Sequence, residues 1–242
     1  MDANLYEKGG FIKLFSQKAL YLCVQKNYLR MKTNTKKAYL LLLLLFFVRM
    51  GLYSQNIGVF EYTADVGNVK IEGITSYDSS DDIYKLTGAG FNMWFDKDAF
   101  RYLYTPVSGD FDLRANMVFV GEGKNAHRKI GILFRVSLDE SSPTVYTALH
   151  GDKLTALQYR AEQAGRTISM EEYVEMPDVF ELTRRGNKFI MRYGYGSLKQ
   201  EIFREIELEL PREGYIGIYV CSHEDDVSET ALFTNLKINK QQ

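Results

Sequence analysis

From Thr105 to Arg160 the chain passes through four strand-like segments whose side chains fall on two faces, with Gly, Asp, Asn and Ser punctuating between them. The clearest is Phe111 to Phe119. Phe111, Leu113, Ala115, Met117 and Phe119 fall on one side, and Asp112, Arg114 and Asn116 on the other. A period of two is that of an extended strand with one buried face, and a helix cannot produce it. After the loop GEGKNAHRK comes IGILFRV, then a turn at Leu138 to Pro143. VYTALHG and LTALQYR follow, separated by Gly151, Asp152 and Lys153, the spacing of a hairpin.

The same pattern extends in both directions. IEGITSY and DIYKLTGAG pair through the turn Asp78 to Asp82, and FRYLYT places Phe100, Tyr102 and Tyr104 on one face. Residues Ala161 to Glu172 are polar and give no firm element. VFELTRRGNKFIMRYG is a hairpin around Arg185, Gly186 and Asn187. EIFREIELEL has helix-forming composition, yet Ile202 to Leu210 alternate with period two, which predicts strand. Gly214 to Cys221 and Ala231 to Ile238 complete the set. This many short strands with no firm helix predicts an all-β fold, a sandwich or a barrel.

Upstream of Gln55 the chain has another character. Met31 opens MKTNTKK, followed by an apolar run from Ala38 to Val48, then RMGLYS. A basic segment, a short apolar segment and a small residue are the parts of a secretory signal, and the run is about half the length of a membrane span. The expected division is an upstream extension at 1–30, a signal peptide at 31–54 with translation starting at Met31, and one domain at 55–242. The expected location is secreted, periplasmic or in the cell envelope, with no membrane span after signal removal.

Residues 1–54 hold 9 Lys/Arg and 2 Asp/Glu, so the remainder keeps 30 − 9 = 21 basic and 31 − 2 = 29 acidic residues, a net charge of −8. An acidic surface argues against nucleic-acid binding, which rests on cations that neutralise phosphate. Cys221 is the one cysteine of 55–242, so no disulfide within this part and no cysteine-based metal site is expected.

Several segments, in this order, carry a resemblance: Trp94 within FNMWF, YTPVSGDFDL, GEGKNAHRKIGILFRVSLD, YTALHGDKLTALQYR, YIGIYVCSH and LFTNLKI. Together they resemble concanavalin A-like jelly-roll domains of bacterial envelope proteins. The type is found beside TolB-like propellers in Bacteroidetes and is akin to the DUF1349 family. The resemblance implies a two-sheet antiparallel β-sandwich over nearly all of 56–240. For activity it implies little, because such folds serve lectins, glycan-binding modules and glycosidases alike.

Candidate binding residues are polar side chains inside apolar strands. Arg135, His150, Gln158 and Arg160 share a parity that brings them to one sheet face if their strands are antiparallel neighbours. Guanidinium, amide and imidazole groups suit sugar hydroxyls or a carboxylate, and Trp94 or Tyr102 can stack on a sugar ring. His127 and Arg128 add polar groups from the preceding loop. The histidines His127, His150 and His223 lack metal-ligand spacing, so no metal site is expected from them. The acidic runs Asp78 to Asp82 and Ser222 to Asp226 are the places where calcium can bind, without an EF-hand pattern.

No strand carries the close carboxylate set of a jelly-roll glycosidase, and no nucleophile elbow, P-loop or dinucleotide fingerprint is present. The expectation is a non-catalytic binding module for a glycan or glycoconjugate, with no catalytic residues. The alternatives are an interaction domain that meets an envelope protein, and a saccharide hydrolase.

Overall fold

Alternation along the chain becomes two sheets facing one another. The computed structural model describes residues 57–196 and 201–241, the side chains of 201–203 excepted, so the expectations for 1–54 lie outside the described residues. In chain order the strands are β1 (Tyr62–Val66), β2 (Ile74–Asp78), β3 (Ile83–Gly90), β4 (Phe100–Ser108), β5 (Asp110–Val120), β6 (Lys129–Arg135) and β7 (Thr144–His150). They continue with β8 (Leu154–Arg160), β9 (Ile168–Tyr173), β10 (Val179–Arg185), β11 (Lys188–Gly194), β12 (Glu201–Glu207), β13 (Glu213–Cys221) and β14 (Glu224–Gln241). Among the described residues there is no helix.

One sheet has the order β1-β4-β13-β6-β7-β8-β9, the other β12-β11-β10-β5-β14-β3-β2, and every pairing is antiparallel. The expected sandwich is therefore present. The main core fills the space between the sheets. Leu103, Ile130, Ile132, Phe134, Val145, Leu149 and Leu157 point inward from the first sheet. Phe111, Leu113, Ala115, Phe180, Leu182 and Phe233 meet them from the second. Each such large side chain contributes roughly 1.5–3 kcal/mol when fully buried.

Of the segment Ile202 to Leu210, the part up to Glu207 belongs to β12, paired with β11. Over Arg204 to Leu210 exposed glutamates alternate with half-buried or buried partners. Pairing to an edge and one-sided burial outweigh helix propensity, which is a weaker prior. The polar stretch 161–172 also supplies a strand, β9, which pairs with β8 at the sheet edge and for that reason needs no apolar pattern.

The first sheet buries its outer face as well. Phe100, Tyr102, Tyr104, Leu133, Tyr146, Ala148, Ala156, Tyr219 and Cys221 form a second cluster with Val66 and Met93. The β3–β4 connection, residues 91–99, crosses this face as a strap. Tyr146 Oη donates to the Met93 carbonyl, and Ala99 N donates to the Asn92 carbonyl at 2.8 Å.

Candidate functional site

Strand register arranges the outer face of the first sheet in rows. In one row Cys221 stands opposite Lys129, which stands opposite His150. In another, Ala148 faces Ala156 and Ala156 faces Glu171. A third places Tyr146, Gln158 and Ser169 side by side, and a fourth aligns Arg135, Thr144 and Arg160. Arg135, His150, Gln158 and Arg160 thus share one face, yet they occupy two separate ends of it.

Arg135 and Arg160 are fully buried under the strap. Arg160 meets Asp98 through paired hydrogen bonds of 2.9 and 2.8 Å and also donates to the Phe95 carbonyl at 2.8 Å. Arg135 donates to Asp98 Oδ2 at 3.2 Å and to the Ser137 and Asp139 carbonyls. Two guanidinium groups therefore pin the strap through one carboxylate. Arg128 is likewise committed: its Nη1 lies 2.6 Å from Glu229, and its guanidinium covers the Phe119 ring at 4.2 Å. Tyr102 is buried, with its hydroxyl on the Leu133 carbonyl at 2.9 Å.

The other end opens into a cavity of about 300 Å³. Asn92 and Trp94 line it from the strap, Lys129 from β6, His150 from β7, Leu154 and Gln158 from β8, and Glu171 and Tyr173 from β9. His127 and His223 close it from the turns. Alanine at 148 and 156 keeps the side chains short between His150 and Gln158, leaving room above the sheet. A larger groove of about 640 Å³ around Pro106, Val136, Pro211 and Tyr215 lacks a comparable cluster, and its Lys240 is held by Thr105 Oγ1 and the Pro106 carbonyl.

Three turns are tied together at the histidine end. Asn125 Nδ2 donates to Glu224 Oε1 at 2.8 Å and to the His223 carbonyl at 3.3 Å, while its Oδ1 accepts from His127 N at 2.8 Å. Gly151 N donates to the Arg128 carbonyl and Asp152 N to the Ala126 carbonyl, at 3.0 and 2.9 Å. His223 sits at φ +61°, a left-handed position that costs a non-glycine residue about 1 kcal/mol or more. The ring centroids of His127 and His150 are 6.0 Å apart, and those of His127 and His223 are 5.5 Å apart.

His150 is the least satisfied group in the cavity. It is 4 % exposed, and neither ring nitrogen has a hydrogen-bond partner. Burial, then the charges of Lys129 and the other two histidines, push its pKa down to about 2, so the ring is neutral at physiological pH. Burial also lowers His223. Gln158 donates through Nε2 to Ser169 Oγ at 3.0 Å, and its Oε1 is buried without a partner. Buried polar atoms are rarely left unpaired, and such a pair aimed at a cavity marks a place for ligand atoms.

Among the described residues, one group of three His, Cys, Asp or Glu side chains lies close enough to share an ion. It is His127, His150 and Asp152, with ligand atoms within 4.8 Å of one another. In the acidic turns, Asp78 accepts from Ser80, Asp82 from Tyr77, and Asp225 pairs with Lys70 at 2.5 Å. Lys129, Asn92, Glu171 and Tyr173 were not foreseen from sequence. Lys129 was legible in principle, since it continues the parity of Gly131, Leu133 and Arg135 one step into the preceding loop.

No family model and no curated protein matches the chain. Solved structures match in shape. A functionally unknown protein from Saccharomyces cerevisiae aligns over 74% of this chain and 97% of its own, with a TM-score of 0.57 at 9% identity. Lectin II from Ulex europaeus aligns over 76% of this chain and 100% of its own, at 0.50 and 8%; the lectin UEA-II complexed with galactose aligns to the same extent. A GH43 protein from Bacillus licheniformis aligns over 74% of this chain but 38% of its own, at 0.50 and 10%. At these identities the likeness is one of fold, and that fold is the concanavalin A-like jelly roll, here with two antiparallel sheets of seven strands each.

Proposed function

We propose that the domain is a non-catalytic carbohydrate-binding module whose site is the cavity between the strap and strands β6 to β9. The observation that carries this reading is the pairing of buried, partnerless acceptor and donor atoms on His150 and Gln158 with aromatic rings at the rim. Hydroxyl groups satisfy both kinds of atom. Trp94, half-buried, and Tyr173, 70 % exposed, offer flat apolar faces to a pyranose ring. Arg135 and Arg160 serve this site by fixing the strap that carries Trp94, and need not touch the ligand.

Among the described residues, Glu171 is the one carboxylate lining the cavity. Glycoside hydrolysis in its usual forms uses two carboxylates across the scissile bond. The chemistry of the lining therefore favours binding over hydrolysis. The finer kinship to TolB-associated and DUF1349 domains, and a secreted, periplasmic or envelope location, belong to the same proposal; they rest on motif order and on the signal-like run Met31 to Ser54.

The test is a glycan array probed with the purified protein and with His150→Ala and Gln158→Ala. Retention that both substitutions abolish, with thermal midpoints held, supports the module. Retention unaffected by either, or none at all, rejects it.

A further inference from the structure

Among the described residues, Lys129 is the deeply buried cation left with neither a counter-ion nor a full set of hydrogen-bond acceptors. The other deeply buried cations are each provided for. Arg128 meets Glu229, and Arg135 and Arg160 meet Asp98. Arg184 donates to the carbonyls of Leu210, Pro211 and Gly186 at 2.6, 2.7 and 2.8 Å. Lys129 is 1 % exposed and makes a single side-chain hydrogen bond, 3.3 Å to Asn92 Oδ1, an oxygen that also accepts from Met93 N at 2.7 Å. Among the described residues no carboxylate lies within ion-pair distance of it.

An ammonium carries three donors, and a buried charge is tolerated when it is paired. Burial draws the Lys129 pKa down, and the charges of Asp98 and Glu171 only partly offset it. Cys221, its neighbour on β13, does not supply the missing charge, because burial pushes its thiol up to about 11. Across the other ladder stands His150, whose neutral ring must present one N–H with no acceptor. The deep end of the cavity thus presents the Lys129 amino group and an imidazole N–H as donors, and Glu171 lies at the exposed wall. Gln158 Oε1, at the far end, is a free acceptor for a hydroxyl.

Building on the carbohydrate reading, we infer that the saccharide is acidic, its carboxylate held by Lys129 and His150 and a hydroxyl held by Gln158. The ligand class is a uronic-acid saccharide. A carboxylate of this kind supplies the acceptors that Lys129 and His150 lack, in a site screened from water where charge-assisted hydrogen bonds are strong.

The deciding experiment presents uronate-bearing oligosaccharides beside their carboxyl-reduced counterparts, which differ only in carrying a neutral CH2OH where the acid carries its carboxylate. Wild-type protein is expected to bind the acids at least about tenfold more tightly than the reduced sugars. Lys129→Met is expected to erase that difference without lowering the thermal midpoint, since it removes an unpaired buried charge. Equal affinity for acid and reduced sugar overturns the inference and leaves the carbohydrate reading standing. A preference for acid that survives Lys129→Met also overturns it, because the carboxylate then sits elsewhere. Retention of neither class overturns both. Retention that requires added Zn²⁺ and survives Lys129→Met overturns it in favour of an ion at His127, His150 and Asp152.

Discussion

Asp98 and Arg160 are joined through both carboxylate oxygens, Oδ2 to Nη1 at 2.9 Å and Oδ1 to Nη2 at 2.8 Å, with both side chains fully buried. Arg135 reaches the same carboxylate from two strands away in the same row. The connection between β3 and β4 is thereby fastened to the outer face of a sheet whose other face already lines the main core. The first prediction concerns this anchor. Asp98→Ala strands two buried guanidinium groups and should cost about 3–5 kcal/mol. Arg160→Met leaves Asp98 its contact with Arg135 and should cost less. Urea unfolding of both variants checks the order, and equal losses would mean that the two arginines do not share the load.

Trp94 is the sole tryptophan of the chain and lines the cavity from the strap. Its emission should therefore shift when a saccharide occupies the site. Trp94→Ala should weaken binding by about tenfold, as expected for loss of a stacking face, with little change in stability because the ring is only half-buried. A ligand that binds without disturbing this emission would place the site elsewhere.

The neutral His150 links stability to pH. Its folded pKa is about 2, far below the ordinary histidine value. Between these values the unfolded chain takes up a proton that the folded chain refuses, so stability is full above the unfolded value and is lost as pH falls. At about pH 5 the loss from this residue alone should be roughly 2 kcal/mol. His150→Asn cannot titrate and should show a correspondingly flatter fall in urea midpoint between about pH 7.5 and pH 5. Parallel curves for the two proteins would contradict a neutral buried imidazole.

A fourth prediction tests close packing beneath the site. At Gly131 the ladder is locally rewired: Ile132 N donates to Thr147 Oγ1 at 3.0 Å, and the Thr147 carbonyl instead accepts from Tyr219 Oη at 3.0 Å. A Cβ on Gly131 would lie 1.8 Å from that carbonyl oxygen and 2.9 Å from the Tyr219 ring. Gly131→Ala should cost on the order of 3 kcal/mol, since backbone and a buried ring must both move. Gly121→Ala, where a Cβ meets nothing within 4 Å, should cost about 1 kcal/mol for its φ of +81°. Thermal melts of the two variants report the difference.

The parity of Arg135, His150, Gln158 and Arg160 was legible because a strand allows only two faces, and four residues of like parity on neighbouring strands must share one. Their division into an anchor and a cavity was not legible. It depends on Asp98, which lies more than thirty positions before Arg135 and approaches only because the strap crosses the sheet. The parity of Lys129 was legible, but its enclosure was not: it follows a polar loop in sequence, while its partners Cys221 and His150 come from other strands.

Alternation, turn residues and the apolar content of each strand determined by themselves that this chain is all-β, a sandwich or a barrel, since period-two burial and short hairpins are local properties, and the order of its motifs pointed to the two-sheet form. They also determined which side chains face together along each strand, and that the chain from Ile202 to Glu207 would be extended despite its composition. Tertiary structure alone decided which polar groups find partners. Asp98 neutralises two arginines, and Glu229 a third, whereas Lys129, His150 and Gln158 are enclosed with their needs unmet. The reason is physical: pairing of buried charges depends on distances of about 3 Å between residues far apart in sequence, and such distances exist only once the sheets have formed.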